Sequence, residues 1–558
     1  MLKRMSRFFF GAVAAVAVLS VAAEEVSLEA AGEAAQAWID GGYSLGKMRG
    51  RCAASGATME VGGAKVHVVR CDGGGFVAMG ADDLVDPVIA FSPSGTCPAD
   101  DERSPLRAIL AADIARRARA AAGQAAAAAS AKSGRTLLGA ASAASSRTAS
   151  QRRWDRLLGR QSSGAMLLRA STSSGPLDAV SDVRVEPLVK SRWGQENNSM
   201  YINYGELCFN YYTPNNYPCG CVATAMAQIM RYHRYPASAT AKTKKCKVDS
   251  ISTNVAMIGG TYSYESMPLV PEAYPLDPMY EGGADEAQRM AIGKLAFDCA
   301  VAMQMEWGAD ENGSYGGSFG SFAFYPLMND FSFANAMGFL SSDSTGIPED
   351  AVCQMILPNL DGGYPVILGI AGHEVIADGY GYSGDVLYTH LNMGWSGYYD
   401  VWYALPDVVA EDVGYESHLV DSVVYNIFPD DTGDLISGRV IDADGNPYPF
   451  VSVKAYNSKG TELQAAAKTN ARGIYCLRIA GAAATSQGTD YKIVAENRAH
   501  SRTNAVNVRA SVNLQSVNLA TGQYTDGTGR AKMAYGNSWG NDFVLARPDP
   551  LPSVIRIR

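Results

Sequence analysis

Residues 214–236 read PNNYPCGCVATAMAQIMRYHRYP. Behind Cys221, apolar side chains recur at Val222, Met226, Ile229 and Met230, the spacing of one helical face. Pro236 closes the run, because the residue before a proline avoids helical dihedrals. Gly220 permits a tight turn into the helix and leaves the thiol uncrowded. Cys221 is therefore expected in or just before the first helical turn, where unpaired backbone N–H groups and the helix dipole favour an anion. A thiolate is the nucleophilic form of cysteine, and such a placement lowers its pKa. Other readings stand beside the nucleophile: a buried core thiol, half of a disulfide, or a metal or redox pair with Cys219. Structural zinc takes about four ligands. His233, the one obvious further candidate nearby, lies turns away along the helix, so metal is discounted.

The 558 residues leave room for three or four domains, at roughly 100–200 residues each. A net charge of −9 gives no whole-chain argument for nucleic-acid binding. The chain opens MLKRMSRFFFGAVAAVAVLSVAAEE, with Lys3, Arg4 and Arg7 before an apolar stretch and small Val21 and Ala23 before Glu24. This reads as a signal peptide over residues 1–23, hence an exported protein: secreted, periplasmic or at the cell surface. The apolar core is short for a membrane span, and no later stretch is long enough for stable membrane insertion. Ten cysteines in a chain of this length are not a disulfide scaffold, although Cys52 and Cys71 flank one β-like run and could pair.

A thiolate nucleophile needs a base and often a third group to orient it. Of six histidines, His373 stands in YPVILGIAGHEVIADGYGYSGDVLYTHLNMGWSGYYDVWYAL (364–405). VILGI, HEVIADGY and DVLYTHLNM read as strands, and GYSG as a hairpin turn. A turn centred on Tyr382 and Ser383 sets His373 opposite Asn392, whose amide would then hold one ring nitrogen while the other faces the thiol. A register slip of one residue sends Asn392 to the other face. His390 is the rival base; Gly372, which leaves room beside His373, favours His373.

GCVATAMAQIMRYHRYP, AGHEVIADGY and HLNMGWSGYYDVWYAL, with RWGQENN at 192–198, resemble the ordered motifs of the streptopain family of papain-like cysteine peptidases. FVAMGADDLVDPVIAFSPSG resembles that family's inhibitory propeptide. The likeness implies an α+β, papain-like, two-lobed catalytic domain made as a zymogen, an endopeptidase on protein or peptide substrates. It implies Cys221 as nucleophile, His373 as base and acid, Gln195 as oxyanion donor, Asn392 as orienting residue and Trp395 as a shield over the pair. It implies no cofactor and no metal. One departure is Met393, where the family usually carries a tryptophan. Gly316-Gly317-Ser318-Phe319-Gly320 fits the serine-hydrolase pattern but lacks the strand and helix of a nucleophile elbow. Ser318, with Gly372, is read as bordering the substrate cleft.

These readings divide the chain into a signal peptide (1–23), an inhibitory small α/β prodomain (24–102), a basic Ala/Arg/Ser-rich connector (103–175), a peptidase domain (176–428), a β-sandwich (433–520) and a tail (521–558). The connector carries thirteen Lys or Arg against two acids over 103–169, little apolar surface, and a processing candidate at RRWDRLLGR (152–160). The sandwich resembles transthyretin-like modules on the strength of GRVIDADGNPYPFVSVKAYNSKG and TNARGIYCLRI. The alternative reading is a non-catalytic surface or adhesion protein that keeps a degenerate papain-like fold.

Overall fold

The computed structural model describes residues 24–42, 48, 51–61, 64–72, 74–133, 148–160, 182–198, 205–272, 283–308, 323–340, 347, 349–405, 409–410, 415–416, 419–481, 488–508, 516–518, 523–525 and 536–548. The signal-peptide reading, Ser318 and His418 lie outside these residues. Among the described residues no helix is long and apolar enough to cross a membrane.

Alternating apolar residues build an 11-stranded mixed α+β centre. Helix α1 (Leu28–Asp40) precedes strands β1 (Cys52–Val61), β2 (Ala64–Cys71), β3 (Phe76–Gly80) and β4 (Val88–Ser92). Helices α2 (Pro105–Ser133) and α3 (Ala149–Leu157) follow, then β5 (Asp182–Val185), α4 (Cys221–His233), α5 (Glu286–Ala302), α6 (Phe324–Asn329), β6 (Asn335–Leu340) and α7 (Glu349–Asp361). Strands β7 (Val366–Ile370), β8 (His373–Ser383), β9 (Val386–Asn392), β10 (Val401–Tyr403) and β11 (Val420–Phe428) complete the sheet. Its order is β1-β2-β3-β4-β10-β9-β8-β7-β11-β6, with β5 on β8. The N-terminal module thus continues the central sheet: β4 pairs antiparallel with β10, Phe91 opposite Trp402.

The sheet has two apolar faces. Leu368, Val375 and Val423 look into one core, while Ile367, Ile376 and Val424 look into another that surrounds α4. Period-two alternation on adjacent strands dictates this division. Helix α4 is buried on nearly every side, from Val222 to Met230.

The connector departs from expectation. Leu106, Ile109, Leu110 and Ile114 are buried in the first core, a stripe at helical spacing on α2. Beside it Arg117 donates to Asp113 (2.8 Å) and to the Ala404 carbonyl (2.5 Å), and the Tyr403 hydroxyl donates to Asp113 (2.7 Å). The basic tally hid four apolar residues placed to dock. The RRWDRLLGR candidate also falls on structure: α3 has a capping box of Thr148 and Gln151, and buried Trp154 donates to the Val85 carbonyl (2.9 Å). Arg153 bridges Asp86 (2.5 Å) and Asp385 (2.9 Å). A protease needs extended, accessible backbone, so this segment is held away from cleavage.

Two further four-stranded sheets enclose one apolar core that includes Ile436, Val453, Leu477 and Ile493. The boundary at 520 is too early. Residues Asn537–Ser538 and Phe543–Val544 pair parallel with Gly433–Ile441, and Phe543 and Leu545 enter the core. This unit meets the central sheet through buried amides. Asn359 and Asn537 both donate to the Asn426 Oδ1, at 2.8 and 2.9 Å.

Asp361 lies at the same junction, accepting from the Tyr380 hydroxyl and the Ser437 hydroxyl, both at 2.7 Å. Burial pushes its pKa up to about 7, against those two hydrogen bonds. A carboxyl raised in the folded state gives stability that is complete below its unfolded value, ~3.9, and is lost as pH rises through 7. The melting temperature is therefore expected to fall between pH 5 and pH 8, by roughly 2–4 °C per kcal/mol lost. Asp361→Asn should flatten that decline in a thermal-unfolding series; an unchanged slope would assign the pH dependence to other groups.

Candidate functional site

Gly220 enters α4 at φ 94°, ψ 150°, a backbone conformation that side-chain-bearing residues rarely adopt. That turn leaves Cys221 as the first helical residue, half-buried, while Thr224 closes the turn by bonding the Gly220 carbonyl. The expected helix-start position is what the structure shows. The backbone N–H groups of Glu374, Val222 and Cys221 itself lie near the sulfur and each favours the thiolate. Burial outweighs them and raises the thiol above its ordinary value. The expectation of a lowered pKa is thus corrected: the donors are present, but desolvation is the larger effect.

Cys219 is fully buried and turned inward, its sulfur 3.3 Å from the Thr224 hydroxyl. Its N–H donates to the Gln195 carbonyl at 2.8 Å, and Thr224 donates to the Gly194 carbonyl at 3.0 Å. These bonds fasten the 194–195 segment to the approach of α4, so Gln195 stands near the thiol. His233 lies at the far end of α4 against Tyr232, Phe333 and Tyr364, where burial lowers its pKa to about 4. Among the described residues there is no group of three or more His, Cys, Asp or Glu that could hold a metal ion.

His373 opens β8 directly after a two-residue turn, Ala371 (φ 51°) and Gly372 (φ 80°), with Ile370 paired to His373. A Cβ on Gly372 would meet nothing, so its glycine serves the left-handed turn rather than making room. The His373 Nε2 bonds the Met393 carbonyl at 2.9 Å. Because a carbonyl only accepts, Nε2 carries the proton and Nδ1 is left as the acceptor. The indole of Trp395 stands edge-on to the imidazole, ring centres 6.4 Å apart. Burial lowers the His373 pKa, partly offset by the Met393 carbonyl and by Glu374.

The expected pairing of His373 with Asn392 is not found. Ser383 pairs with Val386, so the turn centres on Gly384 and Asp385, and a bulge follows between Ala377 and Gly379. Asn392 lies opposite Ile376 instead. Its Oδ1 accepts from Gln228 (3.0 Å) and from the Gly394 N–H (3.1 Å), and its Nδ2 donates to the Ser191 carbonyl (2.9 Å). Asn392 therefore fixes the loop that presents the Met393 carbonyl; it does not touch the imidazole. The Met393 side chain is buried in the first core, so this departure alters the interior and not the shield over His373.

The rival His390 is occupied. Its Nδ1 lies 2.6 Å from buried Asp378, which also accepts the Val189 N–H at 2.9 Å. Asp378 charge raises its pKa against burial. The Asp378 carboxylate and its backbone carbonyl, which accepts the Leu188 N–H at 2.9 Å, together anchor residues 188–189 to the sheet. Neither Gln228 nor Glu374 was singled out from sequence. Gln228 stood out as the one amide in an apolar helix, seven residues after Cys221, and it is the link between α4 and Asn392.

The cysteine at a helix start, the imidazole on the facing strand and the ordered loop after Asn392 fall in one segment. Residues 196–403 match the Peptidase C10 family. The C10 segment contains Cys221, His373, Asn392 and Trp395, and begins one residue after Gln195. Streptopain of Streptococcus pyogenes serotype M28 (strain MGAS6180) is 28% identical over 199 residues, 33% of this chain and 45% of that protein. The serotype M1 streptopain is 27% identical over the same shares. The chain thus spans less than half the length of these curated relatives. Among solved structures, a prointerpain A fragment of Prevotella intermedia is 19% identical with a TM-score of 0.43, covering 67% of this chain and 99% of that one. Active Prevotella intermedia interpain A cysteine protease is 23% identical with a TM-score of 0.34, covering 45% and 96%.

Proposed function

We propose that the protein is an exported cysteine endopeptidase precursor with a papain-like, two-lobed catalytic domain over 176–428 and a β-sandwich behind it. The observation that carries this reading is the placement of Cys221 at the start of α4, which packs on β8, the strand that His373 opens with its Nε2 committed to Met393. Nδ1 is then the nitrogen that takes the thiol proton. The thiolate attacks a peptide carbonyl, and the Cys221 N–H and the Gln195 amide donate to the oxyanion, worth about 2.7–4 kcal/mol per donor in known cases. His373 returns the proton to the leaving amine, and water hydrolyses the thioester.

The N-terminal module, residues 24–102, acts as the inhibitor. It is built into the catalytic sheet through β4 and β10, and α2 is locked to Tyr403 through Asp113. In this precursor burial raises the thiol and lowers the imidazole, and both shifts disfavour the ion pair. Removing the module unburies the site and allows the ion pair to form.

A thiol-directed irreversible inhibitor, applied to the reductant-activated protein and followed by peptide mapping, should label Cys221 alone among the ten cysteines and stop hydrolysis. Seven of the other nine are buried, Cys219 and Cys299 fully so. Labelling elsewhere with activity intact would favour the non-catalytic surface-protein reading.

A further inference from the structure

The carboxyl of Glu374 has no role in the reaction just described, yet it stands beside the reacting groups. Glu374 is only 9% exposed. Its register partner is Gly369, which pairs in turn with Ser422, so the three share the face of the sheet that carries Ile367 and Ile376 toward α4. A Cβ on Gly369 would lie 3.1 Å from Glu374 Oε1 and 2.2 Å from the Ser422 hydroxyl. The missing side chain at 369 is what gives the carboxyl its place. Cys221, His373 and Asp421 are its charged or titratable neighbours, and among the described residues no hydrogen bond reaches it.

A buried carboxyl without a donor is costly in its charged form. A carboxylate beside a forming thiolate is costlier still, since like charges repel in a poorly solvated site. Both penalties vanish when a fixed cation enters. A peptide attacked by Cys221 must lie against the sulfur, so the cation available there is a substrate side chain. We propose that Glu374 is a specificity-determining residue that selects peptides with lysine or arginine lying against the β8 side of the thiol. This rests on the peptidase reading above.

The test uses reductant-activated full-length protein and fluorogenic peptides carrying arginine or norleucine at each of three positions before the cleaved bond. Rates are normalised to reactive thiol by titration with an alkylating agent, which counts folded sites even if a variant folds poorly. At one position the protein should favour arginine at least tenfold in kcat/KM. Glu374→Gln should reduce that ratio to about one. A ratio that survives the substitution overturns the assignment, as does an equal loss on both substrates, which would mark a structural role. Hydrolysis that persists in Cys221→Ala would instead remove the peptidase reading, and this inference with it.

Discussion

Cys221→Ala leaves the precursor at full length under reductant and lowers kcat/KM on peptides by about 10⁴-fold or more, the scale seen when a covalent nucleophile is deleted. The expectation follows from what the sulfur alone provides. The backbone donors at Cys221, Val222 and Glu374 remain after truncation, but nothing is left for them to stabilise. The half-buried site changes by one atom, so folding is little affected. Intact mass followed over time reads the result. The parent chain should shorten to a product that begins after Arg160, because α3 is capped and held by Trp154 and Arg153. Equal shortening of parent and variant would end the claim of self-processing.

Much of the centre was legible because its signals are local. The strand bounds Val366–Ile370 and Val386–Asn392 nearly coincide with the VILGI and DVLYTHLNM runs, and α4 begins at Cys221 as its glycine and apolar spacing require. What failed was non-local. The hairpin after His373 could turn at Tyr382–Ser383 or at Gly384–Asp385, and Gly384 adopts φ 59°, which decides for the second. The bulge at Asp378 has no sequence mark of its own. It is imposed by the bonds of Asp378 to Val189 and His390, whose partners lie far apart in the chain. The docking of α2 was missed for a related reason. Composition over a long window averaged four apolar residues into a basic, alanine-rich background, whereas burial depends on their individual positions. The thiol's raised pKa was invisible because desolvation is a property of the assembled fold, not of the helix start.

The corrected register gives the second large effect. His373→Ala removes the group assigned to accept the thiol proton and return it to the amine, so its kcat/KM should fall as far as that of Cys221→Ala. The double variant should be no worse, since the two residues act as one unit. Asn392→Ala should behave differently. Its amide does not touch the imidazole; it satisfies Gln228, the Ser191 carbonyl and the Gly394 N–H. Truncation strands those buried groups at about 1–3 kcal/mol each, so a lowered melting temperature is the main effect. The loss in kcat should stay near 10–100-fold, because Met393 still offers its carbonyl to Nε2 once the loop is in place. Raising stabilising osmolyte should recover part of the Asn392→Ala activity and none of the His373→Ala activity. If Asn392→Ala instead matches His373→Ala at an unchanged melting temperature, the amide holds the imidazole directly in the working enzyme. The loop must then rearrange when the N-terminal module leaves.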